Sequence, residues 1–249
     1  MINAARVWSK QWSIAEEYKG GTDWRYGFKA IYWDITHRCG KMCPLCAVRV
    51  QNSREYSLTW ADYYYVLNCI GDPKEITSFL FNGGEPLLHP NFNELVQAFW
   101  RDYPNAELVI RSNGYHVREL SKEIFKGCRW LITYYKGWND WLLVWAKEHA
   151  NVEIAVVRGD QHDDPDVAGN FTEERAKEVR DHCWFMVALT GREMYACGLA
   201  EPTEGSMVTE CVHVGFDKNW RENWFKVSDM TWKACQVCYE GERRVRTGG

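Results

Sequence analysis

No stretch of the 249-residue chain reaches the roughly 18 consecutive apolar residues that a membrane-spanning helix needs, so no such helix is expected. The opening residues MINAARVWSKQW lack the apolar segment and small-residue cleavage site of a secretory signal, and the expected location is the cytoplasm. Basic residues are not in excess. The 30 Lys and Arg face 34 Asp and Glu, a formal charge of −4 that gives no general field for tracking phosphates, so nucleic acid is not an expected partner; the basic tail ERRVR is short. Low-complexity segments are absent, and no repeat appears beyond an alternation of strand-like and helix-like segments.

What the chain does hold is enough apolar content, 46%, to fill the core of one large α/β domain, or of one such domain with a small appendage. Ten cysteines would suit a small secreted disulfide scaffold, but this chain is large, has no signal and groups its cysteines at metal-ligand spacings. Thiolates bound to metal are the expected state. Fourteen tryptophans, several in amphipathic segments such as WNDWLLVWAKEH, are read as packing residues.

The periodicity places a first strand at 29 to 36 and a helix at about 59 to 70, with Thr59 as its cap and Asp62 in its first turn. Further strands are expected at 78 to 82, 107 to 112, 130 to 135 and 152 to 157, and each is followed by a helical segment: NFNELVQAFWRDY, VRELSKEIFK, WNDWLLVWAKEHA and TEERAKEVRDH. A sixth strand falls at 184 to 189. Six strand-then-helix units in a row imply parallel strands with right-handed crossovers, an α/β fold built as an open or partial barrel, with the active site at the C-terminal strand ends. After residue 190 the pattern breaks at a hairpin turning on Gly191-Arg192, and 191–249 reads as an appendage that needs a metal staple. The expected organisation is an N-terminal extension (1–28), a core domain (29–190) and this appendage (191–249).

Just past the first strand, RCGKMCPLC places Cys39, Cys43 and Cys46 at the spacing C-x3-C-x2-C. Three thiolates there can bind three irons of a 4Fe-4S cluster and leave the fourth iron open; a zinc site completed by the nearby His37 is the alternative on spacing alone. After the second strand stands FLFNGGEPLLHP. Gly83-Gly84 lets the backbone approach a ligand, and Glu85 is an acceptor for an ammonium group.

In these two motifs, in this order after the first and second strands, the chain resembles the radical S-adenosylmethionine (radical SAM) enzymes over about residues 29–190. The resemblance implies a partial (β/α)6 TIM barrel whose cluster, held by Cys39, Cys43 and Cys46, chelates the amino and carboxylate groups of SAM. Gly83, Gly84, Glu85 and Pro86 would hold the amino group. SAM would be cleaved reductively, and the resulting 5′-deoxyadenosyl radical would take a hydrogen atom from substrate. Ser112 and Asn113, in RSNG at the end of the third strand, and Thr133, on the fourth, occupy places where relatives contact SAM. Leu45 stands where the family usually has an aromatic residue, which puts a stacking contact to adenine in doubt. A flavodoxin- or ferredoxin-type reductant is implied as partner.

The second cysteine group comprises Cys197, Cys211, Cys235 and Cys238, four thiolates that suit structural zinc or a fully ligated 4Fe-4S cluster. Resemblance to the SPASM and shorter twitch extensions implies an auxiliary 4Fe-4S cluster in a small twitch-like subdomain, with Cys183 as a substitute ligand. In size and layout the chain is similar to aminocyclitol dehydrogenases of this family. The implied outcome is oxidation of a small polar substrate, with the auxiliary cluster accepting an electron; modification of a peptide is the alternative. With a short N-terminal region, a separate peptide-recognition domain is not expected. An iron-sulfur electron carrier or zinc-stapled module is disfavoured, because neither needs the GGEP loop. Tyr134, Tyr135, Arg158, Asp160 and His162, beyond the fourth and fifth strands, are candidate substrate-facing groups, Arg158 as an anion anchor and His162 or Asp160 as base; by composition, RGDQHDDPD reads first as a solvated acidic loop. Cys69 and Cys128 are expected to be buried, inert thiols.

Overall fold

The structure, a computed structural model, describes residues 30–41, 43, 55–156, 172–174, 187–195 and 214–224. Runs of apolar and β-branched residues form β1 (Ala30–Thr36), β2 (Ser78–Gly83), β3 (Glu107–Ser112), β4 (Arg129–Tyr134) and β5 (Val152–Val156), each parallel to its neighbour. A sixth parallel strand, β6 (Val187–Thr190), pairs with the opposite edge of β1. The antiparallel β7 (Glu193–Tyr195) and β8 (Val214–Gly215) extend the sheet, whose order is β5-β4-β3-β2-β1-β6-β7-β8.

The open parallel α/β sheet is thus the one expected, and the expected strands match within a residue or two where described. Their lateral order is a finding of the structure. The sixth strand does not follow β5 but lies beside β1, so strand order reverses at β1, the kind of place where open α/β sheets form a ligand crevice. The hairpin turns at Gly191, φ 59°, as expected. The sheet and core run across the 190/191 boundary, since Met194, Phe216, Trp220 and Trp224 share one buried cluster with Ile31 and Trp33.

Helix α1 (Trp60–Ile70) begins where expected, the Thr59 hydroxyl accepting from Asp62 N at 3.1 Å. Helix α2 (Phe92–Asp102) buries Phe92, Leu95, Val96 and Phe99, the spacing of one helical face. Two expected helices are shorter than their periodicity implied. The segment 117–126 is a 3-10 turn, Val117–Glu119, then extended Leu120, then α3 (Lys122–Gly127), which starts because Ser121 caps Ile124 N at 3.3 Å. The segment 138–150 yields only α4 (Leu142–Trp145) and a 3-10 turn, Ala146–Glu148. Here Asn139 is drawn into the core to bond backbone groups of neighbouring loops, so its residues cannot wind continuously. Of the last expected helix, Glu173 and Glu174 are helical and the remainder lies outside the described residues.

Strand alternation divides the sheet. Trp33, Phe79, Phe81 and Ile110 face the helices, with Trp33 stacked on Tyr63 of α1 at 5.9 Å and Phe79 edge-on to Phe99 of α2 at 4.9 Å. Trp33, Trp130, Trp220 and Trp224 are fully buried, and Cys69 and Cys128 are buried, as expected of packing residues and inert thiols. Burial pushes the Cys128 thiol up to about 12. At the N-terminal strand edge Arg129 pairs with Glu107 and Glu153, which leaves the C-terminal edge for chemistry.

Candidate functional site

The first strand leaves the sheet along a path fixed by polar backbone pairing. His37 N donates to Tyr56 O at 2.9 Å and Leu58 N to Ile35 O at 2.8 Å, while the Thr36 hydroxyl donates to Tyr56 O at 3.0 Å. The loop carrying Cys39 and Cys43 therefore starts from a pinned base. Both cysteines are only half-buried, whereas Cys69 and Cys128 are buried. His37 is buried and packs on Tyr56, ring centroids 5.0 Å apart. Cys46 lies outside the described residues.

The second strand ends against this same loop. Gly84 N donates to Thr36 O and Glu85 N to Arg38 O, each at 2.7 Å. This explains the paired glycines: a Cβ on Gly83, where φ is 119°, would lie 2.1 Å from Thr36 O, and one on Gly84 would lie 2.3 Å from Arg38 O. The close approach that the sequence reading assigned to a ligand is made first to the chain's own strand exit.

Glu85 is completely buried and its carboxylate is already engaged. It accepts from Ser112 Oγ at 2.8 Å, Asn113 N at 2.7 Å and Leu87 N at 3.2 Å, so it fastens the end of β2 to the end of β3. Ser112 and Asn113 are brought to this point, with Pro86 buried at the head of a 3-10 turn, Pro86–Leu88. Burial raises the Glu85 carboxyl above the ordinary value of 4.5, its three hydrogen bonds pulling the other way. A raised folded value means that the native state holds the proton more tightly than the unfolded chain. The stabilisation is complete below the ordinary carboxyl value and is lost as pH rises through the folded one. Relative to Glu85→Gln, the wild type is expected to lose stability as pH rises above the ordinary carboxyl value, read as the difference between urea midpoints. A difference that does not vary with pH would refute the raised value.

Beyond β4 the chain turns over the cysteine loop. The Tyr135 hydroxyl lies 3.8 Å from Cys43 Sγ, and Lys41, between the two cysteines, places Nζ 4.3 Å from the Tyr135 ring centre and 4.8 Å from that of Trp138. Burial, with the Cys43 thiol beside it, pushes the Tyr135 hydroxyl well above the usual tyrosine range. Asn139, 1% exposed, holds the turn together. Its amide donates to Asn113 O and Thr133 O at 2.9 Å each, and its oxygen accepts from Tyr135 N at 2.8 Å.

Thr133 lies on the sheet face opposite the helices, as do Tyr32, Asp34, Asn82 and Arg111 by strand register. Asn82 Nδ2 donates to Asp34 Oδ1 at 2.9 Å and to the Tyr32 hydroxyl. Tyr134 was expected to face substrate, with Tyr135, Arg158, Asp160 and His162. Period-two alternation puts it on the helix side instead, where its hydroxyl donates to Asp140 Oδ1 at 2.8 Å. Arg158, Asp160, His162, Cys183, Cys197, Cys211, Cys235 and Cys238 lie outside the described residues, as does Leu45. The sequence reading missed Asn139, Lys41 and the group Tyr32, Asp34 and Asn82. The signal for that group was present: polar residues at alternate positions of YWDIT and a lone Asn82 in the apolar run FLFNG.

Among the described residues no helix is long and apolar enough to cross a membrane. Residues 33–149 match the model of the Radical SAM superfamily. A search of curated proteins finds no match. Among solved structures the chain is similar to BtrN in complex with AdoMet and 2-DOIA, with a TM-score of 0.55 and 15% identity over 85% of this chain and 92% of that one. BtrN in an open conformation gives a TM-score of 0.54 and 14% identity, over 86% and 88% of the two chains. SuiB of Streptococcus suis bound to S-adenosylmethionine gives 0.48 and 11%, over 86% and 72%. At these identities the likeness is one of fold.

Proposed function

Since this chain is a radical SAM superfamily protein, with the family's domain over residues 33–149, we propose that it cleaves SAM reductively and oxidises a small polar substrate. The family uses a 4Fe-4S cluster and SAM. The observation that carries the reading is the stitching of the Gly83-Gly84-Glu85 loop onto the exit of β1, two backbone hydrogen bonds of 2.7 Å that set an amide-rich turn beside half-buried thiols. The donor set fits the cluster: Cys39 and Cys43 are half-buried thiols on one short loop, and Cys46 would complete three ligands. Bound there, the cluster and SAM supply the electron and the 5′-deoxyadenosyl radical that removes a substrate hydrogen atom.

The protein's own work is positioning and proton transfer. Backbone atoms of Gly83 and Gly84, with Pro86 stiffening the turn, hold the SAM amino group, while the engaged Glu85 carboxylate keeps Ser112 and Asn113 against the same pocket. Thr133, on the sheet face opposite the helices, would meet the SAM ribose. The polar face of Tyr32, Asp34, Asn82 and Arg111 supports a substrate rich in hydroxyl or amino groups. Arg158 anchors that substrate and His162 or Asp160 takes the proton lost on oxidation, with Tyr134 outside the reacting circle. Cys197, Cys211, Cys235 and Cys238 would hold an auxiliary 4Fe-4S cluster in the segment from 191 to 249, an acceptor for the second electron. The reductant is a flavodoxin- or ferredoxin-type protein, and the reaction belongs in the cytoplasm, where thiols stay reduced.

The test is iron and sulfide per chain after anaerobic reconstitution, with 5′-deoxyadenosine measured from SAM and dithionite. Wild type is compared with the triple variant Cys39→Ala, Cys43→Ala, Cys46→Ala. About eight irons falling to about four, with deoxyadenosine lost, is the expected result. About four falling to none would remove the auxiliary acceptor and, with it, the oxidative outcome. Deoxyadenosine formed equally by the triple variant would overturn the whole reading.

A further inference from the structure

We propose that Tyr135 is a positioning residue that donates a hydrogen bond to the Cys43 sulfur and so raises the reduction potential of the cluster bound there; this rests on the function proposed above.

The two cysteines receive donors from different sources. Cys39 finds one inside its own loop, Lys41 N at 3.4 Å from its sulfur. Cys43 meets a group brought 92 residues along the chain, the Tyr135 hydroxyl at 3.8 Å, within range for a bond to sulfur. As a protonated thiol Cys43 can donate to that oxygen. As a metal-bound thiolate it has no proton, and the phenol becomes the donor. A hydrogen bond to a cluster sulfur stabilises the more negative, reduced form, one of the means by which proteins set cluster potentials.

The ring is held where this bond requires it. The Tyr135 backbone N–H is fixed by Asn139 Oδ1 at 2.8 Å, the edge of Trp138 meets the ring at 5.7 Å and 89°, and Lys41 Nζ lies 4.3 Å from its centre. Lys41 also ties the cysteine loop to both rings, so loop and hydroxyl keep their spacing as one unit. Tyr135→Phe removes the oxygen and retains the ring, the backbone bond and the lysine contact.

The experiment is a redox titration of the reconstituted full chain without SAM, followed by the paramagnetic resonance signal that is missing from the triple-alanine variant. At a poise where half of this cluster is reduced in wild type, Tyr135→Phe is expected to lower the reduced-to-oxidised ratio about tenfold. For a one-electron couple that is a shift of about 59 mV to more negative potential. Iron content should match wild type, and an exchangeable-proton coupling visible in wild type should be missing from the variant. An unchanged potential with iron retained would overturn the proposal and leave the function intact. Loss of iron in Tyr135→Phe would also overturn it, since the hydroxyl would then be holding the loop rather than tuning the sulfur. A wild type that binds no iron would defeat the function itself, and the proposal with it.

Discussion

Replacing Gly84 with alanine is expected to cut SAM-dependent deoxyadenosine formation on the order of 100-fold, the scale that a misplacement of about 1 Å at a reacting site produces. The added Cβ would lie 2.3 Å from Arg38 O and 2.8 Å from His37 O, both backbone oxygens that cannot rotate away. The β2 exit must then lift from the cysteine loop, straining or breaking the 2.7 Å bonds Gly84 N to Thr36 O and Glu85 N to Arg38 O. Overpacking together with weakened hydrogen bonds is worth about 3 kcal/mol of stability. Gly84 does not have a positive φ, so the loss reports the contact and not backbone strain. Gly215→Ala is the control, because a Cβ there meets nothing within 4 Å. Deoxyadenosine formation within a few-fold of wild type in Gly84→Ala would show that the stitched loops do not position the cofactor. Loss in both variants would point to a general fault in folding.

Asn139→Ala should destabilise the chain by about 3 to 5 kcal/mol, measured as a fall in the urea midpoint, and should also lower iron retention. The side chain is 1% exposed and serves three backbone groups at once: Thr133 O, Asn113 O and Tyr135 N. Truncation leaves two buried carbonyls and one amide without their partner, and the cost of unsatisfied groups sets the magnitude. Asn139→Asp separates this account from simple loss of volume. It matches the shape and can still accept from Tyr135 N, but it offers no donor to the two carbonyls, so it should be about as unstable as alanine. A stable aspartate variant would mean that the donated bonds are dispensable. The effect on iron follows because Tyr135, which reaches Cys43, depends on Asn139 for its backbone position.

Some elements were easy to read because their physics is local. Thr59 followed by an acid in the first turn predicts α1, and the cap bond to Asp62 N is there. The run ELVIRS predicts β3 over 107 to 112, and the strand has those limits. The turn at Gly191 announces the hairpin through the residue that tolerates positive φ. The two truncated helices were misread because their apolar periodicity is real but competes with partners far along the chain. Ser121 restarts the helix after Leu120, and Asn139 leaves helical geometry to serve Asn113 and Thr133. Tyr134 was misassigned for a simpler reason. Adjacent strand residues face opposite ways, and the alternation along β4 turns Tyr134 to the helix side, where its hydroxyl meets Asp140.

Read in order, the residues were enough for the chemistry class and the layer architecture. C-x3-C-x2-C after one strand and GGEP after the next are short, contiguous requirements, and alternation of strand and helix periods implies parallel strands without knowledge of contacts. The fold supplied what depends on groups distant in the chain meeting in space. It set β6 beside β1, turned the glycine pair toward Thr36 and Arg38, buried Glu85 against Ser112 and Asn113, and brought Tyr135 to Cys43. Lateral strand order and side-chain partnership follow from competition among all packings for one low-energy arrangement, and no local window of sequence carries that information.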